Sequence, residues 1–353
     1  MTTLLDPDSA ASTTNPVPDA NESVSEVMSA DEQVAKAGAV VAEPGDVEGD
    51  VADDSTESSA TPGEDHEGHG DASAQTKVVA GDEQPVDDGR PLGKIITVFA
   101  PKGGAGKTTV STNLAVVLNA SGANRVCLVD IDLEFGDIAI ALRLAPTNTL
   151  LDYVQATTAT ADARRAGALT SFQPGLDCVL APVSPADSEY ISAAHVGALL
   201  RDLRRHYDFV VVDTPPNLAE HVLEALDIAD VHVLLTTPEV TALKNLRLAL
   251  DMFDLLGYPR QARAILFNKS DKQAGISAAE AADILCMPVG AEVPMSSDIP
   301  ASVNRGVPVS LANPKHPVAV AIRTLAETSI THGPITAQRR NGRRGLKLRM
   351  RSK

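Results

Sequence analysis

The octet Lys102-Gly-Gly-Ala-Gly-Lys-Thr-Thr109 follows an apolar run at 95–100. It opens a segment in which Val110, Leu114, Val117 and Leu118 recur at helical spacing. A short buried strand, a glycine-rich loop and a helix, in that order, build a site for an anion. Gly103, Gly104 and Gly106 can take positive φ and let backbone N–H groups reach phosphate oxygens with no Cβ in the way, and the helix start extends the same nest. Ala105 and Thr109 complete the cradle. Lys107 then sets a point charge against the β and γ phosphates of a nucleoside triphosphate, and the Thr108 hydroxyl becomes a Mg²⁺ ligand. The plain pattern G-x-x-x-x-G-K-[ST] fails at one place, because Pro101 stands where it wants a glycine. An extra lysine, Lys102, begins the loop instead.

Strand-length apolar runs continue beyond the loop at 125–130, 176–181, 209–213, 231–236, 264–268 and 289–293, seven candidate strands with 95–100. Helical patterns at 192–206, 218–227, 240–256, 277–285 and 317–328 lie between or after them. Runs apolar on both faces belong to strands covered by helices on both sides. The expected fold is therefore α/β, a doubly wound, mainly parallel seven-stranded sheet.

Other strand ends add chemistry at the carboxyl edge, where such sheets bind ligands. In Phe209-Val-Val-Val-Asp213-Thr-Pro-Pro, four apolar residues end in one carboxylate, suited to hold Mg²⁺ through a water. In Val129-Asp130-Ile131-Asp132, a period of two puts both carboxylates on one side and Val129 and Ile131 on the other. Asp130 then supports the metal or the loop. Asn268 ends the run 264–268 and starts Asn268-Lys-Ser-Asp271; its amide can pair with an adenine edge through one donor and one acceptor, or cap a loop.

Pro101-Lys-Gly-Gly-Ala-Gly-Lys-Thr-Thr109 resembles the deviant Walker A loop of the MinD/ParA class of P-loop ATPases, and the similarity runs from about 93 to about 330. The resemblance implies an ATP- and Mg²⁺-dependent homodimer in which Lys102 reaches across to the partner's phosphates. It also implies that Asp132 orients the attacking water and that Asn268 reads adenine. Phosphoryl transfer needs little covalent chemistry, so positioning plus the charges of Lys102, Lys107 and Mg²⁺ would supply most of a slow hydrolysis. Three further motifs resemble the CpaE/TadZ branch, whose members localise the Flp/Tad type IV pilus secretion machinery: Asp132-Leu-Glu-Phe-Gly-Asp137-Ile-Ala-Ile-Ala-Leu, Leu180-Ala-Pro-Val-Ser-Pro-Ala-Asp187 and Val303-Asn-Arg-Gly-Val-Pro308. That branch commonly carries a receiver-like domain before the ATPase, and here an acidic segment takes its place.

Charge divides the chain of 353 residues into three parts: an acidic segment 1–90, an ATPase domain 91–332 and a basic tail 333–353. Residues 1–90 carry a net −19, lack aromatics and show no sustained period, so the expectation is disorder. His66 and His69 read as polar residues of that segment rather than as metal ligands. Residues 339–353, from Arg339 to Lys353, hold eight basic residues and no acid. Leu346, Leu348 and Met350 alternate there with basic residues at a period of two, which is no helical membrane stripe. Such a tail suits an anionic membrane surface or nonspecific DNA.

Without a secretory signal or a membrane-length apolar run, the expected address is cytoplasmic, polar or peripheral to a membrane. Cys127, Cys178 and Cys286 read as small core residues. An absent C-x-x-C pair and an absent tyrosine-rich tail set aside iron–sulfur carriers and tyrosine kinases of the same superfamily. Two functions follow: a switch that localises a pilus or secretion apparatus, and a chromosome or plasmid partition or septum-site ATPase acting on DNA or membrane.

Overall fold

The structure, a computed structural model, describes residues 91–332 apart from 272 and 274. The expectations for the acidic segment and the basic tail lie outside the described residues.

Eight strands form one sheet: β1 Lys94–Phe99, β2 Val126–Asp130, β3 Thr170–Gln173, β4 Leu176–Val179, β5 Phe209–Asp213, β6 Val231–Thr236, β7 Arg263–Ser270 and β8 Val289–Pro294. Their order is β3-β4-β2-β5-β1-β6-β7-β8. Every pairing is parallel except β3 with β4. All seven expected strands are present. The eighth, β3, is a short antiparallel edge strand turned back onto β4 through Pro174 and Gly175. Its half-covered Thr-Ser-Phe-Gln stretch lacks the apolar run that marks the others. The Pro-Gly pair is the turn signal that betrays it.

The helices are α1 Lys107–Asn119, α2 Ile138–Ala141, α3 Leu150–Gln155, α4 Ala161–Ala168, α5 Ala193–His206, α6 Glu220–Asp227, α7 Val240–Leu255, α8 Ala278–Leu285, α9 Asp298–Arg305, α10 Val309–Ala312 and α11 Pro317–Leu325. The last runs on into a π-helical turn, Ala326–Thr331. No helix among the described residues is long and apolar enough to cross a membrane.

Alternate residues of the central strands feed two cores. Cys127, Val129, Val210 and Val212 meet α5, α6 and α7 on one face. On the other, Leu128, Cys178, Val211 and Val233 meet α1 and α11. Burial on both faces is why the strands read as unbroken apolar runs. Cys127 and Cys178 lie on adjacent strands but in opposite cores. Cys286, expected in the core, is instead exposed, because it caps α8 in a left-handed conformation (φ 50°).

Helix α1 is made largely of β-branched and small polar residues, which are weak helix formers. Packing compensates, since nearly all its side chains are buried between the sheet and α10 and α11. The buried Thr112 hydroxyl returns to the helix itself, donating to the Thr108 carbonyl at 2.9 Å.

Candidate functional site

The chain leaves β1 at the middle of the carboxyl edge and turns through 100–106 before α1. Gly104 (φ 74°) and Gly106 (φ 93°) take the left-handed conformation, and Gly103 does not. Gly106 is fixed twice over: it is the residue before α1, and a Cβ there would lie 2.6 Å from the Asn268 amide nitrogen. Among the described residues, no hydrogen bond is donated by the backbone N–H groups of Gly103 to Thr108. Lys107 is only 9% exposed, and its ammonium has no ion-pair or hydrogen-bond partner among the described residues. A buried cation beside a row of unused backbone donors fits a polyphosphate. These are the residues that would cradle it.

Two carboxylates face this cation's side of the sheet. Asp130 and Asp213 are register partners at the ends of neighbouring strands, each 1% exposed. Burial pushes the Asp213 carboxyl up to about 6, against the pull of the Thr108 and Ser111 hydroxyls and the Lys107 charge. Ser111 Oγ donates to Asp213 Oδ1 at 2.9 Å. Burial, with Asp213 adding to it, also holds Asp130 well above the usual carboxylate range. Two acids kept close in a dry place need a cation, and Thr108 with Asp213 is an oxygen donor set suited to Mg²⁺.

Asp130 and Asp132 do not share an environment. Asp130 is buried and accepts the Asp132 and Ile138 N–H groups, both at 3.1 Å. Asp132 is half-buried just past the strand and accepts the Phe135 N–H at 3.2 Å. Val129 and Ile131 lie together in the opposite core, as the period of two requires.

Lys102 points away from the cradle. Its ammonium pairs with Glu239, the residue before α7, and donates to Thr241 Oγ1 at 3.2 Å. Neither partner carries a sequence signal, since each lies well over a hundred residues away. Asn268 is buried at the end of the cradle and donates its amide to the Ala105 carbonyl at 2.7 Å. Lys269, in a left-handed conformation (φ 56°), donates to the Gly104 carbonyl at 2.6 Å. The structure thus brings Asn268 to the loop rather than leaving it aside, with one amide hydrogen already committed.

The stretch 132–142 and the residue after it meet both of the other additional motifs. Gly136 packs against Ala181, and Arg143, just after α2, donates to the Asn304 carbonyl at 2.8 Å and lies against Gly306. Between the first and the third motif lies a cavity of about 630 Å³ lined by Ile140, Leu144, Pro146 and Val303.

A glycine cradle between a central parallel strand and a buried helix, with an acidic strand end beside it, defines a P-loop nucleotide-binding domain. Residues 96–309 match the family model described as the CobQ/CobB/MinD/ParA nucleotide binding domain, and the chain belongs to that family. It is 27% identical over 228 residues to the septum site-determining protein MinD of Thermotoga maritima, covering 62% of this chain and 82% of that protein. With MinD of Helicobacter pylori the identity is 25% over 225 residues, covering 61% and 83%. The structure of MinD from Pyrococcus horikoshii complexed with Mg-ADP superposes with a TM-score of 0.59 at 26% identity, over 67% of this chain and 96% of that one. A ParA family ATPase from Chlorobium tepidum shares the fold, with a TM-score of 0.61 at 22% identity over 65% and 96%.

Proposed function

We propose that this protein is an ATP-binding, slowly hydrolysing dimerisation switch that localises a larger machine, a Flp/Tad type IV pilus or secretion apparatus. The carrying observation is Lys102: an exposed cation at the loop's start, held by Glu239 and Thr241 of its own chain rather than by its own cradle. An exposed ion pair contributes little stability, so a partner's phosphates can outcompete it. Lys102 would then exchange Glu239 for the phosphates of a second copy. The pilus reading is supported by the contacts of the stretch 132–142, which meets 180–187 at Gly136 and Ala181 and shares a cavity with 303–308 through Ile140 and Val303.

In this reading Gly103, Gly104, Ala105, Gly106 and Thr109 present the cradle, and Lys107 faces the β and γ phosphates. Mg²⁺, held by Thr108 and through a water by Asp213, supplies charge neutralisation. Asp132 orients the attacking water from the mouth of the site, where its half-exposed carboxylate can reach solvent. The positive charge of 339–353 supplies contact with an anionic surface, lipid or nucleic acid. A second reading, septum-site or partition positioning, is favoured by the names of the similar proteins.

Sedimentation with ATP and Mg²⁺ tests the switch. The expected result is a monomer converted to a dimer, trapped by Asp132→Ala; Lys102→Gln should bind nucleotide and stay monomeric. One oligomeric state under all nucleotides would refute it.

A further inference from the structure

The backbone at both ends of the loop 132–138 is held by one side chain. Asp130 Oδ1 accepts the Asp132 N–H and Oδ2 accepts the Ile138 N–H, both at 3.1 Å, so one buried carboxylate holds the first and last residues of the loop. Between those anchors the tip is open, with Phe135 73% exposed. The loop's height above the sheet is set by close packing. A Cβ built on Gly136 would lie 2.3 Å from the Ala181 Cβ and 2.8 Å from Asp130 Oδ2, so no methyl group fits there without moving the loop. Gly136 and Ala181 come from two different motifs of the sequence, and this contact accounts for a small residue in each.

We infer that Asp130 is a positioning residue: with Gly136 and Ala181 as its steric stop, it fixes Asp132 at the mouth of the nucleotide site. The inference rests on the reading of Asp132 as the water-orienting residue. It assigns Asp130 to the loop rather than to the metal, on the ground that each of its oxygens holds a backbone N–H from an opposite end of the loop. An asparagine at 130 would keep one acceptor and turn an NH₂ donor toward the other N–H, releasing one end of the loop. An alanine at 136 would press on Ala181 and on the Asp130 carboxylate and lift the loop, Asp132 with it, without removing any carboxylate.

The test uses the full chain with Asp130→Asn, Gly136→Ala, Gly136→Ala/Ala181→Gly and, as a control, Asp132→Ala. ATP affinity, steady-state turnover and, in the nucleotide-free protein, hydrogen exchange at the Asp132 and Ile138 amides are read for each. Asp130→Asn and Gly136→Ala should bind ATP as the parent does, exchange these amides faster, and turn over about tenfold to a hundredfold more slowly, the cost of a displacement near 1 Å. Ala181→Gly should restore part of the rate lost to Gly136→Ala.

Full turnover by Gly136→Ala and Asp130→Asn beside an inactive Asp132→Ala would overturn the inference and leave the reading of Asp132 intact. Loss of Mg²⁺-dependent ATP affinity in Asp130→Asn, with unchanged amide exchange, would overturn it in favour of a metal ligand. Parental turnover by Asp132→Ala would overturn the reading itself and the inference with it.

Discussion

The cradle is held from two sides by strand ends of opposite character. On the β2 and β5 side stand the buried carboxylates Asp130 and Asp213, bonded to hydroxyl and backbone groups beyond the loop rather than to its carbonyls. On the β7 side stand donors, Asn268 and Lys269, bonded to the Ala105 and Gly104 carbonyls. One side is chemical and the other mechanical. By satisfying the loop's acceptors, β7 leaves its N–H donors for a ligand, while on the far side Asp213 awaits a cation and Asp130 holds the loop that carries Asp132. The contrast predicts that mutations on the acidic side change chemistry and pH response. Those on the β7 side should change affinity without regard to the base.

Lys107→Ala is the largest test, because it removes the cation common to both sides. It should weaken ATP binding by at least about a hundredfold, the scale of losing a charged hydrogen-bonding group at a buried site. Calorimetry with ATP and Mg²⁺ reads it, and an unchanged affinity would remove the site from this loop altogether.

The fold was readable from the sequence because burial on both faces writes each central strand as a plain apolar run, and because Gly104 and Gly106 need a conformation few residues adopt. Asp213 was readable as an acid closing four apolar residues. What was hidden is long-range. Nothing local to Lys102 names Glu239, and nothing local to Gly136 names Ala181. Asn268 shows the boundary between the two. Its place at a strand end could be read, but its bond to Ala105 depends on where the sheet sets β7 against the loop.

On the acidic side, Asp213→Asn should stabilise the nucleotide-free protein at neutral pH. The folded carboxyl titrates at about 6, above its ordinary 3.8, so the native state binds more protons than the unfolded chain between those values. The destabilisation from charged Asp213 is thus absent below about pH 4 and fully present above about pH 6. Asp213→Asn should exceed the parent by on the order of 2 kcal/mol at neutral pH, and the gain should vanish on acidification. His232, held down to about 4 chiefly by burial, titrates with opposite sign in the same window. It does so in both proteins, so the difference between them is the quantity to measure by thermal or urea unfolding. A gain independent of pH would mean that Asp213 is not the titrating group. The variant should also lose the Mg²⁺ dependence of ATP binding, stability rising as function falls.

On the mechanical side, Asn268→Ala gives the smallest and sharpest effect. The substitution removes the donor to the Ala105 carbonyl, a net loss of about 1 kcal/mol, or roughly fivefold in affinity if all of it is felt at the loop. The amide is 7% exposed and packed under Gly106, so the loop should loosen as a unit rather than at one contact. If pinning is its main work, ATP, GTP and inorganic triphosphate weaken by the same factor, since all three use the cradle. If its remaining donor and acceptor read the base, the loss falls on ATP alone, and triphosphate binds as before. Lys269→Ala separates the two further. It breaks the Gly104 contact, at 2.6 Å, removes a charge that acts on Glu239, and has no amide to offer a base, so its losses should be base-blind. Matching profiles for Asn268→Ala and Lys269→Ala would establish β7 as a support for the loop; an adenine-specific profile for Asn268→Ala alone would move that residue to the chemical side of the comparison.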